Sequence, residues 1–243
     1  MAHAPIPEYD ADVIIVGGGP AGLSAALVLG RCRRKVLVID AGKPRNAAAK
    51  IMHGFLSRDG ESPHEMAKIG RRQIEAYDGV KFRDGEVVKA ERGHEHFTVT
   101  TEDGTQYTSR ILLLATGIKD ELPRIRNIEQ FWGASVHLCP YCHGWEFRDQ
   151  KIVVYGRGGE GAEFAYEMLG WTNELVYCTD GPANLPEEHS TKLERMGIPV
   201  DEEPIAQLEG EGDQIRGVRF ESGRFLECGA LFFSSLQIGR AHV

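Results

Sequence analysis

Two glycine-rich turns, separated by 139 residues from Gly17 to Gly156, constrain this chain more than any other feature. In the first, the apolar run Ala11-Asp12-Val13-Ile14-Ile15-Val16 leads into Gly17-Gly18-Gly19-Pro20-Ala21-Gly22. Small residues at Ser24, Ala25 and Ala26 follow, on a helix predicted to reach about Arg34. A second strand, Lys35 to Ile39, ends at Asp40. A lone G-x-G-x-x-G says little. Strand before, helix after and an acid at the end of the next strand make it a dinucleotide-binding context. The first glycine permits a tight turn, and the second lets backbone approach a pyrophosphate. The helix N-terminus offers unpaired N–H groups. Asp40 is placed to accept from ribose hydroxyls. The second turn repeats the pattern: strand Lys151 to Tyr155, then Gly156-Arg157-Gly158-Gly159-Glu160-Gly161, a helix from Ala162 to Gly170 and a strand from Glu174 to Cys178. The spacing describes a duplicated α/β architecture, not a short solenoid repeat.

Between the two turns lies Cys139-Pro140-Tyr141-Cys142-His143. Two cysteines at this spacing serve as a reversible dithiol/disulfide, a metal half-site, a haem-attachment motif or two inert buried thiols. Haem attachment fits poorly with a chain that opens on no signal-peptide pattern. Zinc wants a second close pair, and Cys32, Cys178 and Cys228 are isolated. The redox reading leads. Proline at the first helical turn predicts that a short helix opens at Pro140.

Composition narrows the classes. Of the 243 residues, 42% are hydrophobic and 26% charged, as in an ordinary globular chain. No apolar run has the length of a membrane span. The net charge of -8 argues against broad attraction to nucleic acid or anionic membrane. Five cysteines with one close pair do not form a secreted disulfide framework, so a reducing cytoplasm is expected.

The remaining segments read as follows. Residues 41–61 have no clear period and form a loop long enough to suggest function, in which His53-Gly54-Phe55-Leu56 is either a stretch lying against a cofactor or a surface loop with an incidental His. Ser62 caps a helix from Pro63 to about Tyr77. Val80 to Glu91, Phe97 to Thr101 and Thr105 to Arg110 alternate like antiparallel strands. Ile111 to Ala115 reads as a buried strand ending in Thr116-Gly117. Residues 118–134 link the two units, Leu185 to Met196 is a helix, and residues 204–234 return to short strands.

The first glycine turn, the acid, the meander and Ala115-Thr116-Gly117, followed by the Cys pair, resemble the two-dinucleotide flavoprotein disulfide reductases. Within them the chain is similar to the low-molecular-weight thioredoxin reductases. The resemblance implies two Rossmann-like dinucleotide-binding domains of three-layer ββα type, the second inserted into the first. Residues 1–118 would be the first part of the FAD domain, and 119–236 the inserted nicotinamide-binding-like domain carrying the redox pair. It implies FAD on Gly17, Gly19, Pro20, Ala21, Gly22, Asp40, Ala115, Thr116 and Gly117. Gly156, Gly158 and Gly161 would form the second nucleotide turn, with NAD(P)H left open. It further implies Cys142 toward the flavin and Cys139 toward substrate, a small dithiol or thioredoxin-like protein, and a homodimer when full length.

Three departures refine this. Where the thioredoxin reductases carry a His-Arg-Arg cluster for the 2′-phosphate of NADPH, this chain has Cys178-Thr179-Asp180-Gly181-Pro182, with no Arg or Lys before Lys192. Asp180 would repel a 2′-phosphate. Where they carry an acid/base Asp after the second Cys, this chain has His143, and Cys-Pro-Tyr-Cys-His is closer to the dithiol-oxidase-like members, which pass electrons to oxygen. His143 could otherwise be structural, stacked under the Cys helix. The family's return segment to the FAD domain is missing after Ser234, and residues 237–243 are expected to be a non-native tail on a truncated chain. The resulting expectation is an FAD-dependent oxidase of dithiols. An NAD(P)H-dependent disulfide reductase and a non-catalytic nucleotide-binding fragment are the alternatives. A helix N-terminus contributes only roughly 0.3–1 kcal/mol to a thiolate. That is under one unit of the cysteine pKa at about 1.36 kcal/mol each, so His143 or the flavin must supply the rest.

Overall fold

The computed structural model describes residues 8–234 and 237–239. The chain divides into two units, residues 1–47, 63–119 and 238–243 in one, and 48–62 and 120–237 in the other.

The first unit is built on β1 (Ala11–Val16), α1 (Pro20–Arg31), β2 (Val36–Asp40), α2 (Pro63–Ile74), β3 (Val80–Asp84), β4 (Val87–Arg92), β5 (Phe97–Thr101), β6 (Gln106–Leu114) and β7 (Ile118–Asp120). One six-stranded sheet runs β3-β2-β1-β6-β5-β4. Val13, Ile15, Val36 and Val38 face the helices, where Leu23, Ala26 and Ile74 cover them. Ile14, Val16 and Ile39 point to the other face and cluster with Val99 and Val87 of the meander. Burial on both faces is why β1 reads as an unbroken apolar run.

Two sequence expectations change here. Val80–Asp84 is not antiparallel: it pairs parallel with β2, from Val36↔Val80 to Asp40↔Asp84. Gly85, at φ +155, ends that strand and divides it from β4. The two runs expected at 105–110 and 111–115 are one strand that changes partner midway. β6 pairs antiparallel with β5 up to Ser109 and parallel with β1 from Ser109 to Leu114. It is also less buried than its composition suggests, with Ile111 56% and Leu114 44% exposed. A ladder position inside a sheet does not by itself cover the side chain on either face.

The second unit contains α3 (Ile128–Phe131), β8 (Val136–His137), α4 (Pro140–His143), β9 (Ile152–Tyr155), α5 (Gly158–Met168), β10 (Leu175–Cys178), α6 (Glu187–Met196), β11 (Val200–Asp201), β12 (Ile205–Glu211), β13 (Gln214–Phe220), β14 (Phe225–Glu227) and β15 (Ala230–Phe233). Its parallel sheet has the order β11-β10-β9-β15-β8. Alternation along β9 sends Ile152 and Val154 toward Ala162, Ala165, Met168 and Leu193 of the helices. Val153 goes to the opposite side with Leu208, Val218 and Phe220 of the antiparallel β12-β13-β14 layer. Helix layer, parallel sheet and antiparallel sheet give the three layers expected. Each large side chain buried here contributes about 1.5–3 kcal/mol. α5 begins at Gly158, four residues before its expected start.

β16 (Gln237–Gly239) pairs with β7. Of the stretch expected to be a non-native tail, residues 240–243 lie outside the described residues, as do residues 1–7 of the N-terminal tail. Among the described residues no helix is long and apolar enough to cross a membrane.

Candidate functional site

The first glycine turn opens as the chain leaves β1. Gly17 N–H donates to the Ile39 carbonyl at 2.8 Å, which ties the turn to the end of β2. Gly17 has φ +106, and a Cβ there would overlap the Ala115 carbonyl. A Cβ at Gly22 would overlap the Gly17 carbonyl. Both glycines are therefore required by the fold. Gly19 differs, because a Cβ there meets nothing within 4 Å. It caps α1 without a side-chain hydrogen bond, and Pro20 follows at the first position. The exposed first turn of a twelve-residue helix thus faces open space with unpaired N–H groups. Ala115 N–H donates to Val16 at 2.8 Å, which brings Ala115-Thr116-Gly117 against the turn, with Gly117 at φ +68.

The Asp40 carboxylate stands beside this turn, 2.6 Å from where a Cβ on Gly18 would lie. Arg71 of α2 donates to it at 2.6 Å and also reaches Asp84 at 3.8 Å. Arg71 was not among the residues expected at this site; the basic last turn of α2 is its only sequence signal. Open backbone at Gly19, a free helix start and an acid at the end of β2 fit the pyrophosphate and ribose of a dinucleotide.

In the second unit Cys139 and Cys142 form a disulfide, with Cα atoms 5.3 Å apart. Cys139 is extended, and its carbonyl accepts from both Cys142 and His143 N–H at 3.2 Å. That closes a single helical turn. α4 is only four residues long, so its dipole can do little for a thiolate. Tyr141 is 73% exposed and packs edge-on against Trp171.

His143 is held from several sides. It stacks on His137 of β8, ring centroids 4.1 Å apart. One ring N–H is donated to the Ile51 carbonyl, and the Glu146 carboxylate and His53 act on it electrostatically. Burial lowers its pKa, Glu146 and the Ile51 bond oppose that, and His53 adds to the lowering. His137 is itself buried among Phe147 and Phe232. Desolvation, and then His143, bring its pKa down to about 3. Its Nε2 has no hydrogen-bond partner among the described residues. His53 lies 3.4 Å from Glu146 and 3.5 Å from Asp59. Thus the suspected loop contributes Ile51 and His53 to the cysteine segment.

The second glycine turn is occupied from within. Gly156 and Gly161 back onto one another, and Tyr177 Oη, pressed against Gly161, donates to the Gly158 carbonyl at 3.1 Å. Asp180, at φ +51, accepts from Ile205 N–H at 2.8 Å and lies 3.4 Å from Arg157. Arg157 also donates to the Asp180 carbonyl at 2.8 Å. The segment after β10 carries no Arg or Lys before Lys192, as read from the sequence, and the base beside Asp180 comes instead from the glycine turn.

A model of the pyridine nucleotide-disulphide oxidoreductase family matches residues 11–239. A probable thioredoxin reductase of Arthroderma benhamiae is 35% identical over 76% of this chain and 46% of its own length. Thioredoxin reductase tcpT of Claviceps purpurea is 36% identical over 87% of this chain and 69% of its own. The crystal structure of an oxidoreductase from Agrobacterium tumefaciens superposes with a TM-score of 0.87 at 36% identity, covering 94% of this chain and 76% of that one. The chain thus spans from about half to three quarters of the length of these relatives.

Proposed function

This chain belongs to the pyridine nucleotide-disulphide oxidoreductase family, and from that premise we propose a flavin-dependent thiol/disulfide oxidoreductase that oxidises a small dithiol. The observation that carries the reading is the Cys139–Cys142 disulfide with His143 held beside it in sequence by the Ile51 carbonyl and the His137 ring. A hydrogen bond from one ring nitrogen to a carbonyl leaves the other nitrogen bare in the neutral imidazole. It is then a base. Burial keeps it neutral near physiological pH.

The residues act in order. A substrate thiolate attacks Cys139 Sγ, forming a mixed disulfide and releasing Cys142 as a thiolate. His143 takes the proton of the second substrate thiol. That sulfur attacks the first, the substrate disulfide closes, and Cys139 leaves as a thiolate. Two electrons have passed from the substrate to the cysteine pair. Gly17, Gly19, Pro20, Ala21, Gly22, Asp40, Ala115, Thr116 and Gly117 would hold FAD, which when bound would supply the two-electron redox chemistry that lets the reduced cysteine pair be reoxidised, with oxygen as the final acceptor.

The names of the relatives favour a second reading, in which NAD(P)H is the donor and a thioredoxin-like protein the acceptor. Gly156, Gly158 and Gly161 would then hold the nicotinamide nucleotide. Anaerobic mixing separates the two. Flavin bleaching by dithiol alone, reversed by air with peroxide formed, is the expected result. Rapid bleaching by NADPH with thioredoxin turnover would discard the oxidase reading. Cys139→Ser, which leaves the Cys142 thiolate, should show a long-wavelength charge-transfer band; a band only in Cys142→Ser reverses the order.

A further inference from the structure

We propose that Arg71 is a positioning residue for the first nucleotide turn: it holds the Asp40 carboxylate beside Gly18 and leaves one carboxylate oxygen to accept from the ribose hydroxyls of FAD. The proposal rests on the reading that this turn holds FAD, and adds a residue that the glycine pattern does not contain.

Backbone fixes the end of β2 but not the side chain that ends it. The Ile39 carbonyl accepts from Gly17 N–H at 2.8 Å, and the Asp40 carbonyl accepts from Gly85 N–H at 2.9 Å. The Asp40 side chain can still turn about two bonds. β3 lies parallel to β2 in the register Asp40↔Asp84, so two acids stand side by side where both strands end. Like charges on neighbouring strands repel. Left alone, the Asp40 carboxylate would gain by turning out to solvent, away from the glycine turn.

Arg71 removes that freedom. It stands in the last turn of α2, three residues before the buried Ile74. A Cβ on the preceding Gly70 would lie 3.2 Å from Leu23 of α1, so this part of α2 is packed closely in place. The guanidinium sits over the Phe82 ring, 4.9 Å from its centroid. It donates to Asp40 Oδ2 at 2.6 Å and reaches Asp84 Oδ1 at 3.8 Å. Stacked on a ring and drawn to two carboxylates, the planar fork has one orientation. Asp84 is 92% exposed and Asp40 only 18%, so the Asp40 bond is the one that solvent screens least. That bond uses Oδ2. Oδ1 accepts no hydrogen bond among the described residues. A held carboxylate with one oxygen unmet, at the end of β2 and beside the turn, matches what a ribose hydroxyl requires.

The test titrates FAD into the flavin-free full chain, followed by flavin fluorescence, with the melting temperature of the same protein recorded. Arg71→Met keeps the apolar stem over Phe82 and loses the fork. It should weaken FAD roughly tenfold, within the range for coupled neighbours, at nearly unchanged melting temperature. Arg71→Lys should restore part of the loss. Asp40→Ala should weaken FAD at least as much, and adding Arg71→Met to it should change nothing further. Competition with ADP should show the Arg71→Met penalty, and 2′,3′-dideoxy-ADP, which lacks the hydroxyls, should not. Unchanged FAD affinity in Arg71→Met, penalties that multiply in the double variant, or a loss that follows the melting temperature would overturn the proposal while leaving Asp40 in the site. A wild-type chain that takes up no FAD, or an Asp40→Ala variant that binds it normally, removes the reading of the first turn and the proposal with it.

Discussion

His143 lies face to face with His137, the two rings 13° from parallel and their centroids 4.1 Å apart. One ring is buried in the sheet and the other follows the second cysteine, so the stack joins the core of the second unit to the redox segment.

The buried partner should make stability depend on pH. An imidazole titrates near 6.5 in the unfolded chain. Burial, then His143, bring His137 to about 3 in the folded one. Between those values the unfolded state binds a proton that the folded state does not. Stability is therefore complete above about pH 6.5 and lost as pH falls toward about 3, at up to about 1.4 kcal/mol per pH unit. His137→Phe should flatten that slope, since it also removes the unpartnered Nε2. Urea midpoints at pH 7, 6, 5 and 4 measure it, and an unaltered slope would sink the assignment.

Gly19 and Gly22 should fail differently. A branched side chain at Gly19 meets only open space, so Gly19→Val is expected to fold normally and lose flavin. Gly22→Ala drives a methyl into the Gly17 carbonyl and should lower thermal stability before any ligand is considered. Flavin content and melting temperature together decide, and full flavin occupancy in Gly19→Val would remove Gly19 from the site.

Asp180 should prove to be an anchor before it is a selector. Its carboxylate holds Ile205 N–H and lies near Arg157 and Tyr155. Asp180→Ala leaves that N–H unmet and is expected to cost about 1–3 kcal/mol. It should not turn NADPH into a good electron donor. A variant of wild-type stability that bleaches rapidly with NADPH would show the reverse.

The three remaining thiols should separate by reactivity. Cys32 is exposed, while Cys178 and Cys228 are buried. Desolvation raises both buried thiols, Cys228 to about 12. With the disulfide intact, a maleimide should label Cys32 alone; reduction should add only Cys139 and Cys142. Labelling of Cys178 or Cys228 in folded protein would contradict the packing described.

The sequence by itself determined what depends on neighbours along the chain. Strand, glycine turn and helix were legible twice because Val13 to Val16 and Ile152 to Val154 are buried on both faces, and because Gly17, Gly22, Gly156 and Gly161 leave no room for a Cβ. The cysteine pair was legible because a three-residue separation already places the sulfurs within reach of one another. Strand partners were less so: the alternation of β3 does not say whether its partner runs parallel, and β6 passes from the alternating residues 106–109 to the apolar residues 111–114 without the break the two patterns suggested. Tertiary structure alone decided the charges around each site. Arg71 meets Asp40 across 31 residues, Arg157 meets Asp180 across 23, and His53 meets Glu146 across 93. No local spacing constrains such pairs, because a side chain's distant neighbours are set by how sheets and loops pack. That packing turned His143 from a residue beside a cysteine into an imidazole held by a carbonyl and a neighbouring ring.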